Sequence, residues 1–219
     1  MDANLTDEEK VELLKKWWKE NGGSIITGVV LGLALLFGGK AWFAYKERQA
    51  EMASNIYAVM IGALDNGDAA GVTQRAGILM TDYSSTPYAS LAGLALAKLK
   101  LDQGELVAAH AQLQWVLDNT GSEVIRETAR LRLTRVLIAE QDLDGAEALA
   151  AQANKRGSFE ALYAEIDGDI YTARGDYINA SKAYEQALAA MADDSPGRKQ
   201  LQLKYDHALI QSPATEEVS

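Results

Sequence analysis

Hydrophobic and polar positions fall into two regimes along this chain. From Asn21 to Gly39 the run NGGSIITGVVLGLALLFGG carries no charged residue, and beyond Lys40 the apolar stretch resumes as Ala41-Trp42-Phe43-Ala44-Tyr45. From Gln49 onward, Ala, Leu and charged residues recur at helical spacing, without an alternating strand-like run. The first regime predicts one apolar helix between Gly22 and Tyr45. The second predicts a succession of amphipathic helices.

Counted from Gly22 to Tyr45, the apolar helix reaches roughly 36 Å, enough to cross a hydrocarbon core of about 30 Å. Lys40 sits near one end, where its stem can lie along the helix while the ammonium reaches the headgroups. Trp17 and Trp18 flank one side, and Trp42, Phe43 and Tyr45 the other, as interfacial aromatic belts do. A cleaved signal peptide would have a shorter apolar region and a small-residue cleavage site; here Gly39-Lys40-Ala41-Trp42 stands in that place. A buried core helix has no need of two belts. The expectation is an uncleaved anchor.

The segments are expected as an arm (residues 1–21), a transmembrane helix (22–45) and a soluble domain (46–219). Lys10, Lys15, Lys16 and Lys19 precede the span, while Lys40, Lys46 and Arg48 follow it; this balance leans toward a cytoplasmic amino terminus. Gly28-Val-Val-Leu-Gly32 matches G-x-x-x-G, making Gly28 and Gly32 candidates for close helix–helix contact. In the arm, Thr6 and Glu9 have capping-box spacing, and Val11, Leu14 and Trp18 share one face, with Leu5 just before the cap. Such a helix lies at the headgroups or docks on a partner; both readings stay open.

Behind the span, helical stretches alternate with short polar breaks at Asp65-Asn66-Gly67-Asp68, Asp102-Gln103-Gly104, Gln141-Asp142-Leu143-Asp144 and Arg174-Gly175-Asp176. Between these come Ser84-Ser85-Thr86-Pro87, Asn119-Thr120-Gly121-Ser122 and Arg156-Gly157-Ser158. Gly67, Gly104, Gln141 and Gly175 occupy matching places, 37, 37 and 34 residues apart, the spacing of a helix–turn–helix repeat. The last unit is clearest: Gly168, Tyr171, Gly175, Ala180, Tyr184 and Ala187 follow the tetratricopeptide pattern, in which small residues admit a second helix and aromatics fill the gaps. Ala109 and Ala146 match Ala180, and Leu113 and Ala150 match Tyr184; the first unit has Val72 at the alanine place. The helix after Pro196, through Leu201, Tyr205 and Leu209, is expected to cap the stack. The fold class is therefore all-α: a single N-terminal transmembrane helix, then a tetratricopeptide-like α-solenoid of four helical hairpins plus a C-terminal capping helix.

Composition narrows the function. The net charge is −10, and from Lys46 onward 25 acidic residues face 16 basic ones. This argues against nucleic-acid binding, which draws on clustered Lys and Arg. With no cysteine, disulfides, thiolate metal sites and cysteine nucleophiles are excluded. The two histidines, His110 and His207, have no second histidine at ligand spacing, and no G-x-S-x-G, P-loop or G-x-G-x-x-G occurs. Asp142-Leu-Asp144-Gly145 resembles part of a calcium loop but lacks its further ligands. Arg126, Arg130, Arg132 and Arg135 read as a solvated face, with Glu123 and Glu127 pairing on the same helix. No enzyme, metal or cofactor is expected.

The inner face of a solenoid is its usual binding surface. In the last unit it takes Leu162, Glu165 and Asp169; the matching earlier places are Tyr57 and Ile61, Leu94 and Lys98, Leu131 and Arg135. The mixture is apolar with both charge signs and lacks the Lys/Asn set of carboxylate clamps, so a promiscuous or protein-sized ligand suits it.

The order of these features is itself distinctive. An acidic-and-lysine arm, an aromatic pair followed by Glu-Asn-Gly (Trp17-Trp18-Lys19-Glu20-Asn21-Gly22), the span with Gly28 to Gly32, an aromatic exit and tetratricopeptide-like repeats resemble the YfgM-type ancillary subunit of the bacterial SecYEG translocon. The pair is Trp-Trp where relatives often have Phe-Phe. The resemblance implies a Gram-negative inner-membrane protein with a cytoplasmic amino terminus and a periplasmic domain. It also implies association with SecYEG and with the PpiD-type membrane-anchored chaperone, help for unfolded exported proteins, and no catalytic residue. A membrane-anchored scaffold for another cell-envelope assembly is the alternative.

Overall fold

A computed structural model of the chain describes residues 7–153 and 156–212. Thr6, the expected cap of the arm, and Leu5 before it lie outside the described residues. Among these residues there are nine α-helices and no strand: α1 (Asp7–Asp65), α2 (Ala69–Asp82), α3 (Pro87–Asp102), α4 (Leu106–Asn119), α5 (Glu123–Ala139), α6 (Leu143–Ala151), α7 (Glu160–Ala173), α8 (Tyr177–Ala190) and α9 (Arg198–Gln211). The chain divides into two compact units, Met1–Glu51 and Met52–Ser219.

In the first unit, the arm from Asp7 onward and the apolar segment are one helix, where the sequence suggested an arm helix of its own. No proline precedes Pro87. The Asn21 amide donates to the Trp17 carbonyl at 3.0 Å, and the Thr27 hydroxyl to the Gly23 carbonyl at 2.8 Å, so polar side chains bond within the helix. At Gly22 a Cβ would stand 3.2 Å from the Trp18 indole, a tight contact, while Gly23 has nothing within 4 Å. Gly22 thus lets the ring lie close, and the helix runs unbroken through both glycines. The helix is long and apolar enough to cross a membrane, with a mean hydropathy of 1.8 over its most apolar window. Leu35, Leu36 and Phe37 are at least 70% exposed, so the window is not a core helix of this chain. A Cβ on Gly28 or Gly32 would meet nothing within 4 Å.

The second unit is the solenoid. The end of α1 pairs with α2, and α3 with α4, α5 with α6 and α7 with α8; α9 closes the stack against α8. The first helix of each pair ends the same way. Gly67, Gly104, Gln141 and Gly175 all adopt the left-handed conformation, with φ of 71°, 75°, 64° and 76°. Each donates to the carbonyl three residues back, and the next residue donates to the carbonyl five back: Asp68 to Ala63, Glu105 to Lys100, Asp142 to Leu137 and Asp176 to Tyr171. This is the Schellman ending, whose left-handed residue glycine adopts most readily. The residue after it starts the second helix. The carboxylates of Asp68, Asp142 and Asp176 accept from the backbone N–H of Gly71, Gly145 and Asn179, while Glu105 makes no such cap. The 37-residue spacing is thus the spacing of one repeated turn, stop signal and start signal together.

Close packing repeats too. At corresponding places the two helices of a hairpin carry Met60 and Ala76, Ala97 and Leu113, Thr134 and Ala150, and Gly168 and Tyr184, all buried. Apart from the Thr134–Ala150 pair, where neither residue is large, a bulky residue on one helix is matched by a small one on the other. Ala109, Ala146, Ala180 and Val72, at the alanine place, are fully buried, as is Ala187.

Candidate functional site

Helices α3, α5 and α7 lie side by side, α5 touching both neighbours. The faces they leave uncovered therefore share one side of the solenoid. Along α5 the uncovered stripe is Arg132, Arg135 and Ala139, since Leu131, Leu133, Thr134, Val136 and Leu137 are buried. On α3 the matching positions are Ala95, Lys98 and Asp102, and on the end of α1 they are Ala58, Ile61 and Asp65. Of the inner-face positions expected from the repeat pattern, this stripe contains Ile61, Lys98 and Arg135.

The candidate groove residues divide into four groups. Leu94 and Leu131 are buried, 8% and 3% exposed, and belong to the core beneath the face. Tyr57 and Ile61 are half-buried at the edge of the first hairpin's core, and the Tyr57 ring centre is 5.7 Å from that of Tyr88. Burial raises the Tyr57 phenol above its ordinary pKa. Lys98 and Arg135 are exposed; Lys98 pairs with Asp102 at 2.7 Å, and Arg135 approaches Glu165 at 3.6 Å.

Glu165 and Asp169 meet a residue that the repeat pattern did not point to. Lys204 of α9 sends its ammonium between them, 2.7 Å from Glu165 Oε1 and 2.8 Å from Asp169 Oδ1. The Tyr184 hydroxyl donates to the same Asp169 oxygen at 2.8 Å, with Thr172 Oγ1 3.0 Å from that hydroxyl. Burial lowers the Lys204 pKa, but the hydrogen bonds and charges of Asp169 and Glu165 outweigh it and hold the pKa above the ordinary lysine value. The capping helix thus covers the acidic end of the face. The contact spans 35 to 39 residues of sequence and leaves no local signature.

A second polar cluster lies between repeats. Glu127 is 4% exposed; it pairs with Arg130 and accepts a hydrogen bond from Tyr163, which is fully buried on α7. Burial raises the Glu127 pKa, but the bonds from Tyr163 and Arg130 leave it below the ordinary glutamate value. Burial, with the carboxylate beside it, pushes the Tyr163 phenol up to about 12. The solvated-face reading therefore suits Arg132 and Arg135 but not the Glu127–Arg130 pair. His110 Nδ1 lies 3.0 Å from Glu140 Oε2, and the His207 ring stands edge-on to Tyr177. Among the described residues, no three His, Asp or Glu side chains converge as a metal site requires.

Repeated hairpins with one uncovered face, capped by a ninth helix, define a tetratricopeptide-type solenoid, and a family model described as a tetratricopeptide repeat-like domain matches residues 15–209. A protein of Haemophilus influenzae named ancillary SecYEG translocon subunit is 33% identical over 189 residues, covering 85% of this chain and 91% of that protein. Proteins of the same name from Escherichia coli and Neisseria gonorrhoeae are each 28% identical, covering 96% and 94% of this chain. The chain belongs to the family of ancillary SecYEG translocon subunits. No solved structure gives a significant match.

Proposed function

We propose that this chain is a non-catalytic ancillary subunit of the SecYEG translocon, anchored in the bacterial inner membrane by the apolar segment of α1. The amino terminus is cytoplasmic and the repeat domain periplasmic. There the domain acts as a chaperone or adaptor for newly exported proteins, together with a PpiD-type membrane-anchored chaperone. One observation carries this reading: a repeat solenoid with an uncovered inner face follows a membrane-length helix in a chain whose relatives bear the translocon subunit's name. Fixing the domain to the membrane beside the exit site raises its local concentration, to about millimolar for short tethers, so weak contacts on the inner face are occupied.

The test is crosslinking of the full-length protein in intact membranes, with identification of the captured proteins. SecYEG components and a PpiD-type chaperone are expected. Capture of another envelope assembly in their place would overturn the proposal. Protease added to spheroplasts should digest the repeat domain; protection until the membrane is broken would reverse the orientation.

A further inference from the structure

The inner face changes chemistry along its length. On the first two hairpins it is mainly apolar: Tyr57 and Ile61 from α1, and Leu91 and Ala95 from α3, are all half-buried, and the charges beside them are Asp65 and a Lys98–Asp102 pair closed at 2.7 Å. On the third hairpin it turns basic, with Arg132 and Arg135 exposed about one turn apart on α5. Arg132 has no ion-pair or hydrogen-bond partner among the described residues. Arg135 reaches only Glu165, at 3.6 Å, and that carboxylate is already held by Lys204 at 2.7 Å. Two under-partnered guanidinium groups therefore border an apolar surface, in a domain where 25 acidic residues face 16 basic ones from Lys46 onward.

We propose that the inner face binds an acidic amphipathic polypeptide segment, its apolar side chains on the first two hairpins and its carboxylates on Arg132 and Arg135. This rests on reading the inner face as the partner surface and names the chemistry of the partner. Guanidinium groups accept carboxylates through paired N–H donors, which sets position as well as affinity. The field of the whole domain works against this preference, because an acidic domain draws basic ligands and repels acidic ones. A preference for acidic segments can therefore only come from the local arginines, and this makes it a sharp test.

The experiment uses full-length protein in nanodiscs of neutral lipid and two fluorescent peptides of one amphipathic helical pattern, one carrying Glu and the other Lys at the polar positions. The Glu peptide is expected to bind tighter. Arg132→Glu should weaken it about five- to tenfold, the scale of one lost exposed ion pair plus a new repulsion, and should strengthen the Lys peptide. Arg135→Gln should weaken the Glu peptide at unchanged melting temperature. Lys182→Glu, the same charge change on exposed α8, should alter neither. Equal or tighter binding of the Lys peptide, no binding of either peptide, or equal effects of Arg132→Glu and Lys182→Glu would overturn the inference. Capture of SecYEG by the parent protein is measured alongside. If capture persists while the peptide preference fails, this inference alone falls; if capture is absent, the proposed function falls.

Discussion

Gly168→Ala adds one methyl group where the fold has no room for it. In an exposed helix interior, glycine to alanine stabilises by about 0.5–1 kcal/mol, because glycine loses more backbone freedom on folding. Gly77 of α2 is such a place, exposed and with nothing within 4 Å of a new Cβ. At Gly168 the new Cβ would run into the Tyr184 ring, which is 2% exposed. The ring cannot easily withdraw, since its hydroxyl is held by Asp169 at 2.8 Å and lies 3.0 Å from Thr172. Overpacking of this kind costs about 1–3 kcal/mol, and the tethered ring places it in the upper half of that range. After the propensity gain, Gly168→Ala should destabilise by about 1–2 kcal/mol, while Gly77→Ala stabilises. For a domain of this size each kcal/mol moves the melting temperature by about 3 °C, read by circular dichroism of the purified full-length protein. The second hairpin already shows the relaxed solution, Ala97 with Leu113 at the corresponding places. Tyr184→Leu should thus absorb part of the cost, so that the double variant is more stable than the sum of the single changes by about 1 kcal/mol. A Gly168→Ala protein that melts at or above the parent, or strict additivity with Tyr184→Leu, would refute the packing argument.

Gln141→Gly should stabilise by about 0.5–1 kcal/mol in the same melts, because Gln141 holds a φ of 64° where the other three repeats have glycine. Asp142→Ala and Asp176→Ala should each cost about 1 kcal/mol through loss of an N-cap, and Glu105→Asp should gain part of that amount by supplying the missing one. Lys204→Met should destabilise by about 1–3 kcal/mol, since Asp169 loses its cation and Glu165 keeps only Arg135 at 3.6 Å. Because the folded Lys204 pKa is raised, its contribution is complete below the ordinary lysine value of about 10.4 and is lost as pH rises through the folded value. A denaturation series should show the difference between parent and Lys204→Met shrinking as pH rises through the folded lysine value. Glu127, with its pKa depressed, behaves oppositely: its contribution is present above about pH 4.3 and lost as pH falls through the folded value. Tyr163→Phe should remove that acid sensitivity in part while costing about 1–3 kcal/mol, as the buried carboxylate loses a donor.

What could be read from the sequence was whatever the repeat imposes locally. Each hairpin turn needs a residue tolerant of the left-handed conformation and a cap directly after it, so Gly67, Gly104 and Gly175 with their acidic neighbours mark the turns at fixed spacing. Even Gln141, which breaks the glycine rule, is found by period alone. Contacts across repeats leave no such mark. Glu127 and Arg130 have the spacing of a solvated helical pair, and only the Tyr163 hydroxyl, 36 residues away, makes them a buried cluster. Leu94 and Leu131 hold groove positions in the repeat pattern, yet neighbouring helices close over them and the next exposed turn, Lys98 and Arg135, carries the surface.

Lys204 shows why the end of a solenoid differs from its middle. In an interior repeat, the acidic groove positions would face solvent or a ligand on the open side of the array. At the last repeat no further hairpin follows, and α9 must bury Leu201 and Ala208 against α7 and α8 to close the core. A helix placed there for apolar reasons also brings one side chain over Glu165 and Asp169, and a lysine at that position engages both carboxylates and offsets one of their two negative charges. The part of the inner face left uncovered is therefore shorter and less acidic than the repeat pattern alone implies. It runs from Tyr57 to Arg135 and stops where the cap begins.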